Sequence, residues 1–176
     1  LLRQSFEWLD LLERPLVRRI VIASQHRVLR SAVKVLNQFG NGWLYPLLVG
    51  LLLAIQGRSA ARPLLAAACA VGAAHIVYAW LKPRLARVRP CEADTSFPRG
   101  EKPLDKFSCP SGHCMTLTAF SLPVTWSFPP MLPVLAACLL AIGWARVSLA
   151  HHYPSDLAAG ILLALATALP VAFLFL

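Results

Sequence analysis

Charge is scarce in this chain. Only 14% of its 176 residues are Asp, Glu, Lys or Arg, against 57% hydrophobic ones, a balance too apolar for an ordinary soluble domain. Acid is scarcer than base, with eight Asp and Glu against 17 Lys and Arg, and Asp156 is the only carboxylate after Asp105. No cluster of carboxylates is available to hold a divalent cation. No CxxC or CxxH pair has metal-site spacing, so neither a metal nor another cofactor is expected. Nucleic-acid-binding motifs are missing and the basic residues are not interleaved with aromatics, so the net charge of +9 reads as attraction to an anionic bilayer and not to nucleic acid. No continuous apolar core precedes a small-residue cleavage site near the N-terminus, so no cleavable signal peptide is expected.

What the chain does have is Leu, Ala and Val in several runs of roughly 15 to 20 residues, the length that crosses a bilayer core. The expected fold is all-α: an integral membrane helical bundle of five to six transmembrane helices with an amphipathic N-terminal helix, forming a single domain over 1–176. Within it, 1–39 is an amphipathic N-terminal region and 82–110 a polar loop over the functional end. Residues 1–15 mix Leu1, Leu2, Phe6, Trp8, Leu9, Leu11 and Leu12 with Arg3, Glu7, Asp10, Glu13 and Arg14, a helix stopped or kinked near Pro15. From 16 to 39, Val17, Val21, Val28, Ala32, Val35 and Phe39 fall near helical spacing, with Arg18, Arg19, Arg27, Arg30 and Lys34 pointing away. Five cations suit the membrane interface better than a span.

The clearer spans are Trp43–Gln56, Arg62–Leu81, Ser111–Phe128, Pro130–Leu149 and Leu157–Leu176. Ala66, Ala70 and Ala74 offer small residues for close helix packing. Thr116, Thr118, Ser121 and Thr125 place polar groups along the third of these spans, and Phe128-Pro129-Pro130 makes a tight turn. Trp43 and Trp80 read as interface anchors. Of the five cysteines, Cys69 and Cys138 sit in apolar runs, whereas Cys91, Cys109 and Cys114 flank the polar loop. Unpaired thiols are expected, a Cys91–Cys109 bond requiring an oxidising compartment.

Span alternation has a consequence. The ends at Leu81 and Leu149 and the starts at Ser111 and Leu157 all meet one membrane face, so three polar clusters converge there. They are Lys82, six residues, Arg89-Pro90; then Pro110-Ser111-Gly112-His113; then Arg146, five residues, His152, three residues, Asp156. In that order and spacing they resemble the three-part motif of the type 2 phosphatidic acid phosphatase (PAP2) superfamily over residues 82–156. One departure is Ala145, where the family usually has Ser, so a hydrogen bond to phosphate is missing but no catalytic group.

The resemblance implies a metal-independent phosphatase acting on a lipid phosphate or diphosphate through a phosphohistidine, and the residues fit that chemistry. Phosphoryl transfer is mainly positioning and charge stabilisation. Lys82, Arg89 and Arg146 supply cations, the arginines as bidentate forks. Ser111 and Gly112 start a helix whose free N–H groups cradle an anion. His152 is the expected nucleophile, Asp156 the acid that orients it, and His113 the proton donor to the leaving oxygen. His151 is read as a neighbour of the motif, and His75 as a mid-span residue bonding an adjacent helix.

The implied substrates are phosphatidic acid, phosphatidylglycerol phosphate or a polyprenyl diphosphate, in a bacterial inner membrane. Arg84, Arg87, Arg99, Lys102 and Lys106 are expected to contribute to headgroup choice. Under a five-span reading all Lys and Arg except Arg58 and Arg62 share the active face, which points to the cytoplasm; the family's six-span plan points outward and is preferred. A lipid phosphotransferase would use the same site, a haloperoxidase would be larger and soluble, and a non-enzymatic lipid carrier would not need His152. Oligomeric state is not legible.

Overall fold

A computed structural model describes residues 2–98 and 101–176, with side chains described from Phe6 onward. Leu1, the side chains of Leu2 and Arg3, and Arg99 therefore lie outside the described residues. Most of the described residues are helical, and no strand occurs among them. Helix α1 spans Leu2–Ala23, α2 Arg27–Gln38, α3 Leu44–Gln56, α4 Ala61–Leu85, α5 Pro90–Ala93, α6 Gly112–Ser127, α7 Leu132–Ser148 and α8 Pro154–Phe175. Among the described residues, three helical stretches are long and apolar enough to cross a membrane: one inside Arg27–Ala93, then Pro129–Ser148 and Pro154–Phe175.

Helices α4, α6 and α8 pack mutually at the centre, and their contact faces are built from small residues. Ala70 and Ala74 of α4, Ala119 of α6, and Ala164 and Ala168 of α8 are fully buried in one cluster with Met115. Without large side chains between them the backbones approach closely, the packing that stabilises helices in lipid. Gly160 is the tightest point: a Cβ there would stand 2.4 Å from the Ser111 carbonyl oxygen. A second cluster, with Leu48, Leu52, Leu117, Phe120, Val124, Leu135 and Ile142, joins α3, α6 and α7.

Three expectations about the chain need correction. Of the stop or kink expected near Pro15, the stop is absent, and helix α1 runs through Pro15 to Ala23. Pro15 is exposed, so the Leu11 carbonyl it leaves without a helical partner faces outward, where losing that bond is cheap. The apolar stripe proposed across 16–39 is also interrupted, because α1 ends and α2 begins afresh after a turn at 24–26. Val17 and Val21 are buried, but Val28, Val35 and Phe39 are exposed, and Val33 and Asn37 face the protein instead. Finally, the polar connection starts later than residue 82: α4 continues to Leu85, placing Lys82 in its last turn.

Between α2 and α3 the helical path passes through a π-helical turn, Phe39–Trp43. Gly42 has φ +137° there, a conformation open to glycine and strained for other residues. The turn swings Gly40 and Asn41 toward the start of α6. Two alanines also hold left-handed backbone, Ala86 after α4 (φ 47°) and Ala150 after α7 (φ 53°). Both sit beside the polar clusters. Such strain persists only where its surroundings over-determine it.

Candidate active site

The polar ends of α4, α6, α7 and α8 meet, as the alternation of spans requires. The Ser111 N–H donates to the Asp156 carbonyl at 2.9 Å, tying the start of α6 to the start of α8. The His151 N–H donates to the Arg146 carbonyl at 3.0 Å, and the Cys91 N–H to the Ala150 carbonyl at 3.0 Å. A cavity of about 240 Å³ opens at this junction, and its lining includes Arg89, Arg146, His152, Gly112, His113, Asn41, Tyr78 and Asp105.

Arg89 and Arg146 are each about 1% exposed, as is His152. Arg89 Nη1 donates to the His151 carbonyl at 2.5 Å and lies 3.3 Å from His152 Nε2. Arg146 Nη1 donates to Asn37 Oδ1 on α2, and its Nε is buried with no hydrogen-bond partner. Lys82 does not line the cavity. It stands behind the wall, donating to Tyr78 Oη at 2.6 Å, Asp105 Oδ2 at 2.9 Å and the Pro110 carbonyl at 3.4 Å.

Helix α6 begins at Gly112, with Ser111 in extended conformation before it. Its first backbone bond runs from Met115 N–H to the Ser111 carbonyl at 3.0 Å, which leaves the N–H groups of Gly112, His113 and Cys114 without intrahelical partners. A Cβ at position 112 would stand 2.9 Å from Tyr78 Oη, so glycine keeps this wall open. The N–H of Ser111 itself is taken by α8, and its Oγ is buried without a partner. Ser111 thus lies under the cavity and not on it. His113 Nε2 donates to Asn41 Oδ1 at 2.8 Å.

Asp156 is fully buried at the third position of α8, behind His152. Its Oδ2 accepts the Tyr153 N–H at 2.8 Å and lies 3.7 Å from His152 Nδ1, beyond hydrogen-bond range. Its Oδ1 accepts from Arg87 Nη1 at 2.6 Å. Arg87, expected among the headgroup residues, therefore turns inward. It is 2% exposed, pairs with Asp10 at 2.7 Å and Glu13 at 2.8 Å on α1, and lies 4.2 Å over the Tyr153 ring. The left-handed turn at Ala86 aims it there. Arg84, in contrast, is exposed and stacks on Trp80.

Electrostatics follow from burial and from the cations. Burial, then the positive charges of Arg146, Arg89 and Lys82, push the His152 imidazole well below its ordinary range, so it is neutral. The same causes, burial first and then Arg146, lower His151 to about 4, and its Nε2 meets the Glu101 carbonyl at 2.7 Å. Burial alone would raise the Asp105 carboxyl, but the hydrogen bond and charge of Lys82, with Tyr78 and Arg89, outweigh it and hold Asp105 at about 2. The His152 imidazole thus lies beside two buried guanidinium groups, whose charge attracts anions to the pocket.

Several residues of this site carry no mark in the sequence motifs. Asn37 and Asn41 stand four apart where α2 meets the π-turn, and that spacing was the available signal for a shared inward face. Tyr78 lies one turn before Lys82. His75 bonds the Val71 carbonyl and faces Thr116 at 3.4 Å on the neighbouring helix. All five cysteines are free; Cys91 is partly exposed and Cys109 is buried. Among the described residues, no group of three His, Cys, Asp or Glu side chains could hold a metal ion.

Lipid A 1-phosphatases of Rhizobium etli and Rhizobium johnstonii are each 41% identical to the chain over 54 residues, 31% of this chain and 23% and 22% of theirs. The matched segment thus spans less than a quarter of the length of these curated relatives. No solved structure matches the chain significantly. A model of the PAP2 superfamily matches residues 63–175, which takes in every motif residue from Lys82 to Asp156 and most of the membrane core. The chain is an integral membrane protein that belongs to the PAP2 superfamily.

Proposed function

We propose that this protein removes phosphate from a lipid phosphate or diphosphate without a metal, through a covalent phosphohistidine. The observation that carries the reading is the convergence of Arg89, Arg146, His113 and His152 on one cavity of about 240 Å³ at the ends of apolar helices. A lipid whose tails lie among those helices brings its phosphate to that depth.

In this reading His152 Nε2 attacks phosphorus while the P–O bond to the lipid breaks. His113 gives its proton to the leaving oxygen. It then takes a proton from the water that attacks phosphohistidine, returning free phosphate and neutral His152. Arg89, Arg146 and the unpaired N–H groups at the start of α6 receive the charge on the equatorial oxygens, and Lys82 adds a third cation. Asp156 stabilises the imidazolium character that develops on His152. Ser111 supports the α6 turn from below.

Substrate class is the finer part of the proposal. Phosphatidic acid, phosphatidylglycerol phosphate and polyprenyl diphosphate are the candidates, and the relatives' name adds the 1-phosphate of lipid A. The test is phosphate release from this panel by detergent-purified protein in EDTA. His152→Ala is expected to abolish release; activity surviving that change, or lost in EDTA, contradicts the mechanism. The site is proposed to face outward from a bacterial inner membrane. An impermeant thiol reagent is expected to label partly exposed Cys91 on intact cells, and protection until the cells are opened overturns that side.

A further inference from the structure

Among the described residues, Asp105 is the one acid on the cavity wall, and it sits on the cations assigned to phosphate. Its Oδ1 accepts from Arg89 Nη2 at 2.5 Å, and its Oδ2 from Lys82 Nζ at 2.9 Å and Tyr78 Oη at 2.9 Å. Its backbone carbonyl takes Arg89 Nε at 3.0 Å. The side chains of Lys82 and Arg89 are only 7% and 1% exposed, whereas that of Asp105 is 42% exposed. The carboxylate thus lines the cavity and covers two buried cations, Arg89, which also lines it, and Lys82, which stands behind Asp105 and Tyr78. It is carried by the non-helical connection between α5 and α6, so withdrawing it breaks no helix.

From this placement we infer that Asp105 is an internal anionic competitor of phosphate. It occupies Lys82 and Arg89 when the cavity holds no phosphate, yields them when a substrate phosphoryl group enters, and returns to speed departure of the orthophosphate product. The inference rests on the assignment of Lys82 and Arg89 to phosphate. A lipid substrate brings tail contacts that offset the displacement of Asp105, but orthophosphate has only its charge. The competitor therefore weakens product binding more than substrate binding, which favours turnover. It also discriminates against soluble phosphate in the surroundings.

A different role for the same contacts is a brace that holds Lys82 and Arg89 in place for phosphate. The two roles predict opposite signs. Asp105→Asn keeps the shape, removes the negative charge and leaves Lys82 and Arg89 uncommitted. As a competitor, its loss tightens orthophosphate binding at least about tenfold, since a like charge no longer opposes the ligand at contact distance. As a brace, its loss leaves binding unchanged or weaker.

The experiment is calorimetric titration of orthophosphate into the detergent-purified full chain, as wild type, Asp105→Asn, Asp105→Ser and Arg89→Ala. Thermal unfolding confirms that each variant is folded. Asp105→Ser, too short to bridge the cations, is expected to tighten binding in the same direction and serves if the asparagine variant does not fold. Orthophosphate inhibition of lipid phosphate hydrolysis is expected to strengthen in parallel. Tightening in neither Asp105 variant, with Arg89→Ala still weakening binding, overturns the competitor while leaving the phosphate assignment intact. Binding that is unaffected by Arg89→Ala removes both.

Discussion

The Asp156 carboxylate lies 3.7 Å from His152 Nδ1, one small rotation short of a hydrogen bond, and both groups are buried. What holds it at that distance is a competing pair of donors, Arg87 on one oxygen and the Tyr153 N–H on the other. Asp156 is thus positioned by the fold, and in the proposed mechanism it answers the positive charge that develops on the imidazole.

Replacing Asp156 by Asn keeps the shape and removes that charge. The expected result is a fall in kcat of about 10²- to 10⁴-fold with little change in KM, as for the orienting acid of a catalytic triad. Steady-state assay on a lipid phosphate measures it. A change confined to KM would place Asp156 in substrate binding instead.

His113→Gln separates proton donation from phosphate binding. On an alkyl lipid phosphate, whose leaving oxygen needs a proton, the expected loss is about 10²- to 10⁴-fold. On p-nitrophenyl phosphate, whose leaving group departs as a stable anion, the loss should shrink to about tenfold or less. Equal losses on the two substrates would remove His113 from the acid role.

Much of this site is visible in the sequence because charge in an apolar chain has few places to go. Lys82, Arg89, Arg146, His152 and Asp156 had to sit at helix ends, and alternating spans put those ends together. Asn37 and Asn41 could not be found the same way. Neutral amides near a helix end look like any turn, and their inward direction depends on the break at 24–26 and the π-turn at Gly42. Asp105 was equally hidden, since a loop has no periodicity to show which side chain points at cations 23 and 16 residues away. Arg87 was misdirected for a related reason: only the left-handed Ala86 tells it apart from exposed Arg84.

Arg87 and Arg84 should therefore respond very differently to alanine. Arg87→Ala leaves Asp10, Glu13 and Asp156 without the cation that pairs with all three and is expected to cost about 3–5 kcal/mol. Arg84→Ala, at an exposed stacked position, is expected to cost less than about 1 kcal/mol. Unfolding in detergent compares them directly, and equal costs would mean the cluster is not a structural joint.

Gly160→Ala tests the close approach of α8 to α6. The added methyl meets a backbone oxygen that cannot turn away, so a loss of about 1–3 kcal/mol or more is expected, with lower activity as the α6 turn shifts. Gly143→Ala meets only the far end of the Leu157 side chain, at 3.0 Å, and should be milder. Thermal midpoints of the two variants provide the comparison.

Stability should fall as the medium is acidified. An imidazole in the unfolded chain takes up a proton near pH 6.5, while folded His151, buried and facing Arg146 and Arg89, resists until about 4. Between those values the unfolded chain binds more protons, so the stability present above pH 6.5 declines as pH drops. His152 acts in the same direction. Unfolding midpoints from pH 7 to 5 should show the decline, and His151→Asn should make it shallower.

The joint at Arg87 also sets an order of assembly. During synthesis Asp10 and Glu13 leave the ribosome before Arg87, which follows after three more helices, α2, α3 and α4, and Asp156 arrives with α8. The acids of α1 must wait, without their buried cation, until the middle of the chain is made. The joint closes only once α8 is in place. A defect in α1 would then show itself late in assembly, as a protein in which α8 fails to lock.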